Sequence, residues 1–179
     1  MHSVRICLGW GISLPESLSH RMSLIGDLAS NFRTFLEPIW EDWKLKTGRP
    51  IGGDVVVSEN MCGFTSAFTS IALAEQDGRD WRVAGGWPKS GGGLACPKQR
   101  LNSHFWTVSD DGIVVDLTAD QFGMSNIIVT RQRDPRYIES FSNERVSKYL
   151  PYLMPLAEEW IDTARRCGVL PYPEYRMAC

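Results

Sequence analysis

The chain reads as a single α+β domain on three observations. Residues 23–46 repeat apolar side chains at spacings of three and four, and the segment that opens at Cys62 does the same with Phe64, Phe68, Ile71 and Ala72. Beyond it the pattern changes to short β-branched and aromatic runs separated by Gly and Asp-Gly turns. The 179 residues, 43% of them apolar and 22% charged, suffice for one sizeable core, so residues 1–179 are expected to form one domain.

Taken in order, Leu24, Leu28, Phe32, Phe35, Leu36, Ile39, Trp40 and Trp43 mark one apolar helical face. The segment is expected to be one long helix or two short ones, since Pro38 lacks a backbone donor and should kink or split it, and Gly48 and Pro50 end it. A second helix is predicted over 62–76, stopped by Gly78. Residues 81–87 predict a strand. Residues 88–101, rich in Gly, Pro and Lys, predict a loop in which Gly91-Gly92-Gly93 forms a lid or plain linker, because it lacks the Lys and Ser or Thr of a phosphate loop. Residues 104–108 and 113–117 predict a hairpin closed by Asp110-Asp111-Gly112, and 127–130 a further strand, giving three or four antiparallel strands. The run 131–136 is expected to be a solvated basic turn. After Asn143, two helices are predicted, interrupted near Pro151 and Pro155.

Composition narrows the function classes. A net charge of -2 with scattered Lys and Arg provides no electrostatic footprint for nucleic acid. No apolar run approaches the roughly 20 residues that span a bilayer. The apolar stretch 6–14 follows Arg5 but is short for a secretory signal and has no small-x-small cleavage site, so a cytoplasmic protein without membrane partners is expected, with secretion as the alternative. Cys7, Cys62, Cys96, Cys167 and Cys179 form neither a C-x-x-C pair nor a zinc-like spacing, so no metal site and no disulfide framework is expected.

The chemistry-bearing residues are Cys62 at the head of a predicted helix and His104 and Asp116 on the predicted hairpin. A helix start favours a thiolate through its free N–H groups and positive dipole end. Nucleophile, base and orienting carboxylate then form an acyl-transfer set. His2 and His20 lie in the irregular N-terminal region, which leaves His104 as the base. Asp116 is preferred as third member because strand pairing can bring it beside His104, and Asp120 is the alternative. Against this stands a plainer reading, in which Cys62 is a core cysteine, His104 a structural histidine, Asp116 a turn cap with Thr118, and Trp106, which shares the strand face of His104, simple packing instead of a cleft wall.

The residues Cys62, His104-Phe105-Trp106 and Asp116-Leu117-Thr118, over about 58–122, resemble the core of transglutaminase-like proteins in the papain-like superfamily. The segment 116–122 also resembles one in uncharacterised bacterial and phage proteins loosely called transglutaminase-like. The resemblance implies a papain/transglutaminase-like core: a helix bearing the cysteine packed on a small antiparallel sheet bearing the histidine and aspartate. Residues 1–57 and 123–179 would then be flanking helical segments. It implies a Cys-His-Asp acyl-transfer site and no cofactor. Backbone N–H groups of Cys62 and Gly63, with the Asn60 side chain, are the expected oxyanion donors. Papain-type enzymes carry a glutamine several residues before the cysteine, where this chain has residues 54–59 without one.

The function expected is acyl transfer or hydrolysis at an amide bond of a protein, peptide or small amide, as a peptidase, amidase, deamidase or transglutaminase. A non-catalytic module that holds a peptide or protein partner is the alternative. A third possibility is a redox or acyl-carrier thiol, with Cys62 modified reversibly and Cys96 as the resolving partner.

Overall fold

A computed structural model describes residues 17–53, 55–97 and 100–172. The apolar stretch 6–14, His2, Cys7, Asp54 and Cys179 lie outside the described residues. Helix α1 spans Leu18–Lys46 and is capped by Ser17, whose Oγ accepts the His20 N–H at 3.2 Å. Helix α2 spans Cys62–Asp77 and ends on Gly78 in the left-handed conformation. Helix α3 spans Asn143–Arg166.

α1 is one long helix, the first of the two forms its sequence allowed, whereas α3 is not divided as expected. Pro38 sits inside an unbroken α1, and Pro151 and Pro155 sit inside an unbroken α3, where two helices were predicted. All three prolines are exposed. The opposite face of α1 buries Ile25, Ala29, Phe32, Leu36 and Trp40 to 1% exposure or less. Each large side chain so buried contributes about 1.5–3 kcal/mol, so together they outweigh the roughly 3 kcal/mol that an interior proline costs. In α3, Leu153, Ala157, Trp160, Ile161 and Ala164 play the same part.

Strands β1 (Trp81–Gly86), β2 (Gly93–Ala95), β3 (Leu101–Asn102), β4 (His104–Ser109), β5 (Ile113–Asp116), β6 (Ile128–Arg131) and β7 (Tyr137–Ile138) form two antiparallel sheets, in the orders β1-β4-β5-β6 and β3-β2-β7. The hairpin pairs Thr107 with Val115 and Val108 with Val114. The second sheet corrects the expected loop over 88–101, which holds a short 3₁₀ turn at Pro88–Ser90 and strands β2 and β3. The glycines there serve a close backbone crossing and are not a lid: Gly92 and Gly93 are buried, and a Cβ on Gly86 would collide with Gly93 N and Ile138 O. The basic run 131–136 is a surface turn, with the Arg136 guanidinium donating to Asp134.

The period of two in β4 and β5 divides the interior. Phe105, Thr107, Ile113 and Val115 face the larger core, built with α1, α2 and α3. There Thr107 Oγ1 donates to Ser66 O of α2 at 3.0 Å. Trp106, Val108 and Val114 face a smaller core with Ala84, Leu94, Ala119, Ile128 and Tyr137, between the two sheets. His104 and Asp116, at the ends of their strands, share that second face. Among the described residues, no helix is long and apolar enough to cross a membrane.

Candidate active site

Cys62 is the first residue of α2, His104 the first of β4 and Asp116 the last of β5. Antiparallel pairing of β4 with β5 therefore sets His104 and Asp116 at the same end of the hairpin. His104 Nε2 donates to Asp116 Oδ2 at 2.8 Å, with His104 0% and Asp116 2% exposed. The carboxylate is held at four points. Its Oδ2 also accepts Tyr137 Oη at 3.0 Å, and its Oδ1 accepts Thr118 N at 2.9 Å and Thr118 Oγ1 at 3.2 Å. Asp116 is thus both a turn cap, through Oδ1, and the partner of the imidazole, through Oδ2.

The electrostatics follow from that enclosure. Burial opposes ionisation of Asp116, but His104, the Thr118 N–H and the Tyr137 hydroxyl overcome it and hold the carboxyl below its usual range. Burial likewise opposes the imidazolium of His104, but Asp116 and then the Cys62 thiol raise it to about 10. Burial and the adjacent Asp116 raise the Tyr137 hydroxyl, which keeps it a neutral donor.

The other ring nitrogen, Nδ1, is enclosed and makes no hydrogen bond of regular geometry. Cys62 lies close enough for its thiol to favour the protonated ring. Cys62 is the half-buried member of the three and so the one open to solvent. Met61, the N-cap before α2, supplies no side-chain cap, so no capping side chain covers the first-turn N–H groups of Cys62 and Gly63.

The remaining expected residues are distributed differently. Asn60 is exposed and occupies a left-handed backbone conformation, φ 64°, directly before the helix; its N–H donates to Gln121 Oε1 at 3.3 Å. Gly63 is buried, and a Cβ there would stand 3.0 Å from Leu153 Cδ2, so glycine lets α3 approach the start of α2. Trp106, which the sequence left between a substrate-contacting cleft wall and core packing, is core: it is 1% exposed and packs edge-on against Tyr137 at 5.3 Å, so it backs the imidazole from the core and does not line a cleft. Asp120 turns away from His104: its Oδ2 takes Arg33 Nη2 at 2.7 Å, and its Oδ1 accepts the Ser58 hydroxyl. Cys96 is tied up as well. Asn102 Nδ2 donates to its sulfur at 3.0 Å, and burial raises its thiol, which disfavours the thiolate a resolving partner needs.

Sequence reasoning missed Tyr137, Phe122, Ser58 and Arg33. Tyr137 reaches Asp116 from the second sheet, and Phe122 stands edge-on to the imidazole at 5.2 Å. Neither carries a local signal, because both meet the site through tertiary packing. Thr118 was legible, since Asp-x-Thr is a spacing at which a carboxylate caps its own following turn. No family model, no curated protein and no solved structure matches the chain.

Proposed function

We propose that this protein is a thiol enzyme of the papain/transglutaminase-like kind, performing acyl transfer or hydrolysis on an amide through a thioester on Cys62. One observation carries the reading: a fully enclosed imidazole is bonded on Nε2 by a four-times-held carboxylate, while its other nitrogen is left to the thiol at a helix start. With the imidazole raised to about 10, the resting form at neutral pH is an imidazolium beside Cys62. Cys62 attacks the carbonyl carbon as thiolate, forming the C–S bond. First-turn N–H groups of α2 receive the oxyanion. His104 passes its proton to the departing amine as the C–N bond breaks, leaving thioester and neutral imidazole. The imidazole, neutral once its proton has gone to the amine, takes a proton from water or an acceptor amine as that nucleophile bonds to the acyl carbon and the C–S bond breaks, returning Cys62 to the thiolate. Asp116 and Tyr137 keep the ring oriented throughout and never touch the substrate.

The test is iodoacetamide labelling of each cysteine as a function of pH in the wild type and in His104→Gln. Rapid labelling of Cys62 well below pH 8.5 that slows without His104 is expected. Slow labelling that ignores His104 would sink the proposal, as would unchanged turnover in Cys62→Ala.

The second reading is a binding module. It is favoured by an apolar groove of about 700 Å³ between α2, β1 and α3, lined by Ile71, Val83, Val146, Leu150 and Met154 at the far end of α2 from Cys62. On that reading Cys62→Ser retains full biological activity.

A further inference from the structure

We propose that Arg33, Asp120 and Ser58 form a positioning clamp that sets the turn carrying Cys62 against the strand end carrying Asp116. The inference rests on the thiol-enzyme reading.

Arg33 lies on α1, 4% exposed, with its guanidinium over the Trp40 ring at 4.7 Å. Its Nη1 donates to Leu117 O, the residue after Asp116. The same nitrogen reaches Asp120 Oδ1 at 3.2 Å, and Nη2 reaches Asp120 Oδ2 at 2.7 Å, a two-point fork that fixes the carboxylate plane. Asp120 Oδ1 in turn accepts the hydroxyl of Ser58, which is 0% exposed. Ser58 O accepts Met61 N at 3.0 Å, closing the turn that launches α2 at Cys62. One guanidinium therefore touches the chain just after the carboxylate and, through one side chain, the chain just before the nucleophile.

Three further bonds run the same way. Gln121 accepts Asn60 N at 3.3 Å through Oε1 and donates to Thr118 O at 2.8 Å through Nε2. Lys44, on the same α1 and 2% exposed, donates from Nζ to Val56 O at 3.0 Å. Arg33 and Lys44 are eleven residues apart, about three turns, and so share one helix face. This face of α1 holds the approach to Cys62 at two points. None of these groups touches His104 or Cys62. Their effect would be on the relative placement of the two, where a displacement of about 1 Å costs on the order of a hundredfold in rate.

The test uses the full chain and the same labelling readout, alongside thermal unfolding followed by near-UV circular dichroism. Ser58→Ala removes one hydroxyl and leaves the Arg33–Asp120 pair intact. It is expected to keep the folded spectrum while slowing Cys62 labelling near neutral pH on the order of tenfold and moving its profile toward that of a free thiol, about pH 8.5. Arg33→Lys, which keeps the charge but loses the fork, is expected to do the same more strongly. If Arg33→Lys fails to fold, Ser58→Ala and Gln121→Ala carry the test. A merely structural clamp would lower the unfolding temperature and leave the labelling profile of the folded protein where it was. That result, with the wild type dependent on His104, overturns the clamp alone. Wild-type labelling independent of His104 overturns the thiol-enzyme reading and the clamp with it.

Discussion

At the scale of single residues, the site turns on what Asp116 is asked to do. A carboxylate 2% exposed is costly unless its oxygens are satisfied, and here His104, Tyr137 and Thr118 supply four donors. Tyr137 is the member whose role can be isolated, because phenylalanine keeps its shape against Trp106. Tyr137→Phe is expected to destabilise the fold by about 1.5–3 kcal/mol, the range for a hydrogen bond to a charged group, measured by urea unfolding. A loss under about 0.5 kcal/mol would mean that the Tyr137–Asp116 bond contributes little.

Elements explain how that cluster is presented. A helix start, a strand start and a strand end converge, since α2 lies against β4 and Gly63 admits Leu153 of α3 beside it. The helix that packs beside α2, α3, keeps Pro151 and Pro155 on its solvent face. Pro155 cannot donate to the carbonyl of Pro151 four residues earlier, and neither ring is buried. Pro155→Ala is accordingly expected to raise stability, by up to about 3 kcal/mol, read as an increased denaturant midpoint. A lower midpoint would show that the proline ring fits this helix better than the restored hydrogen bond does.

For the molecule as a whole, the coupled charges predict how stability depends on pH. His104 is raised from 6.5 to about 10 in the folded state, so its contribution is fully present below about 6.5 and is lost as pH climbs toward 10. Asp116 is lowered from 3.8, so its contribution is present above that value and is lost as pH falls through its folded pKa. The unfolding temperature should therefore be highest between roughly pH 4 and 6.5 and decline toward pH 10. In Asp116→Asn the alkaline decline should shrink, because the main charge raising the imidazole is gone. An alkaline limb unchanged in that variant would assign the loss to other groups.

Sequence alone determined the elements with a strong local period or a local stop. The second helix begins at Cys62 as expected because a buried stripe fixes its phase, and Gly78 ends it; the 104–117 hairpin is written in an Asp-Gly turn between alternating runs. The placement of His104 beside Asp116 was accessible for the same reason, since hairpin register is local. Tertiary structure decided what local rules misjudge or omit. Burial of one helix face carried α1 and α3 through their prolines, and a backbone crossing at Gly86 turned an apparent loop into a second sheet that delivers Tyr137. It also settled where Asp120 points, because Arg33 stands 87 residues away in sequence and no spacing rule links positions so far apart. Local periodicity reports the free energy of one segment with its own turns, whereas these outcomes depend on contacts formed only when distant segments are folded together.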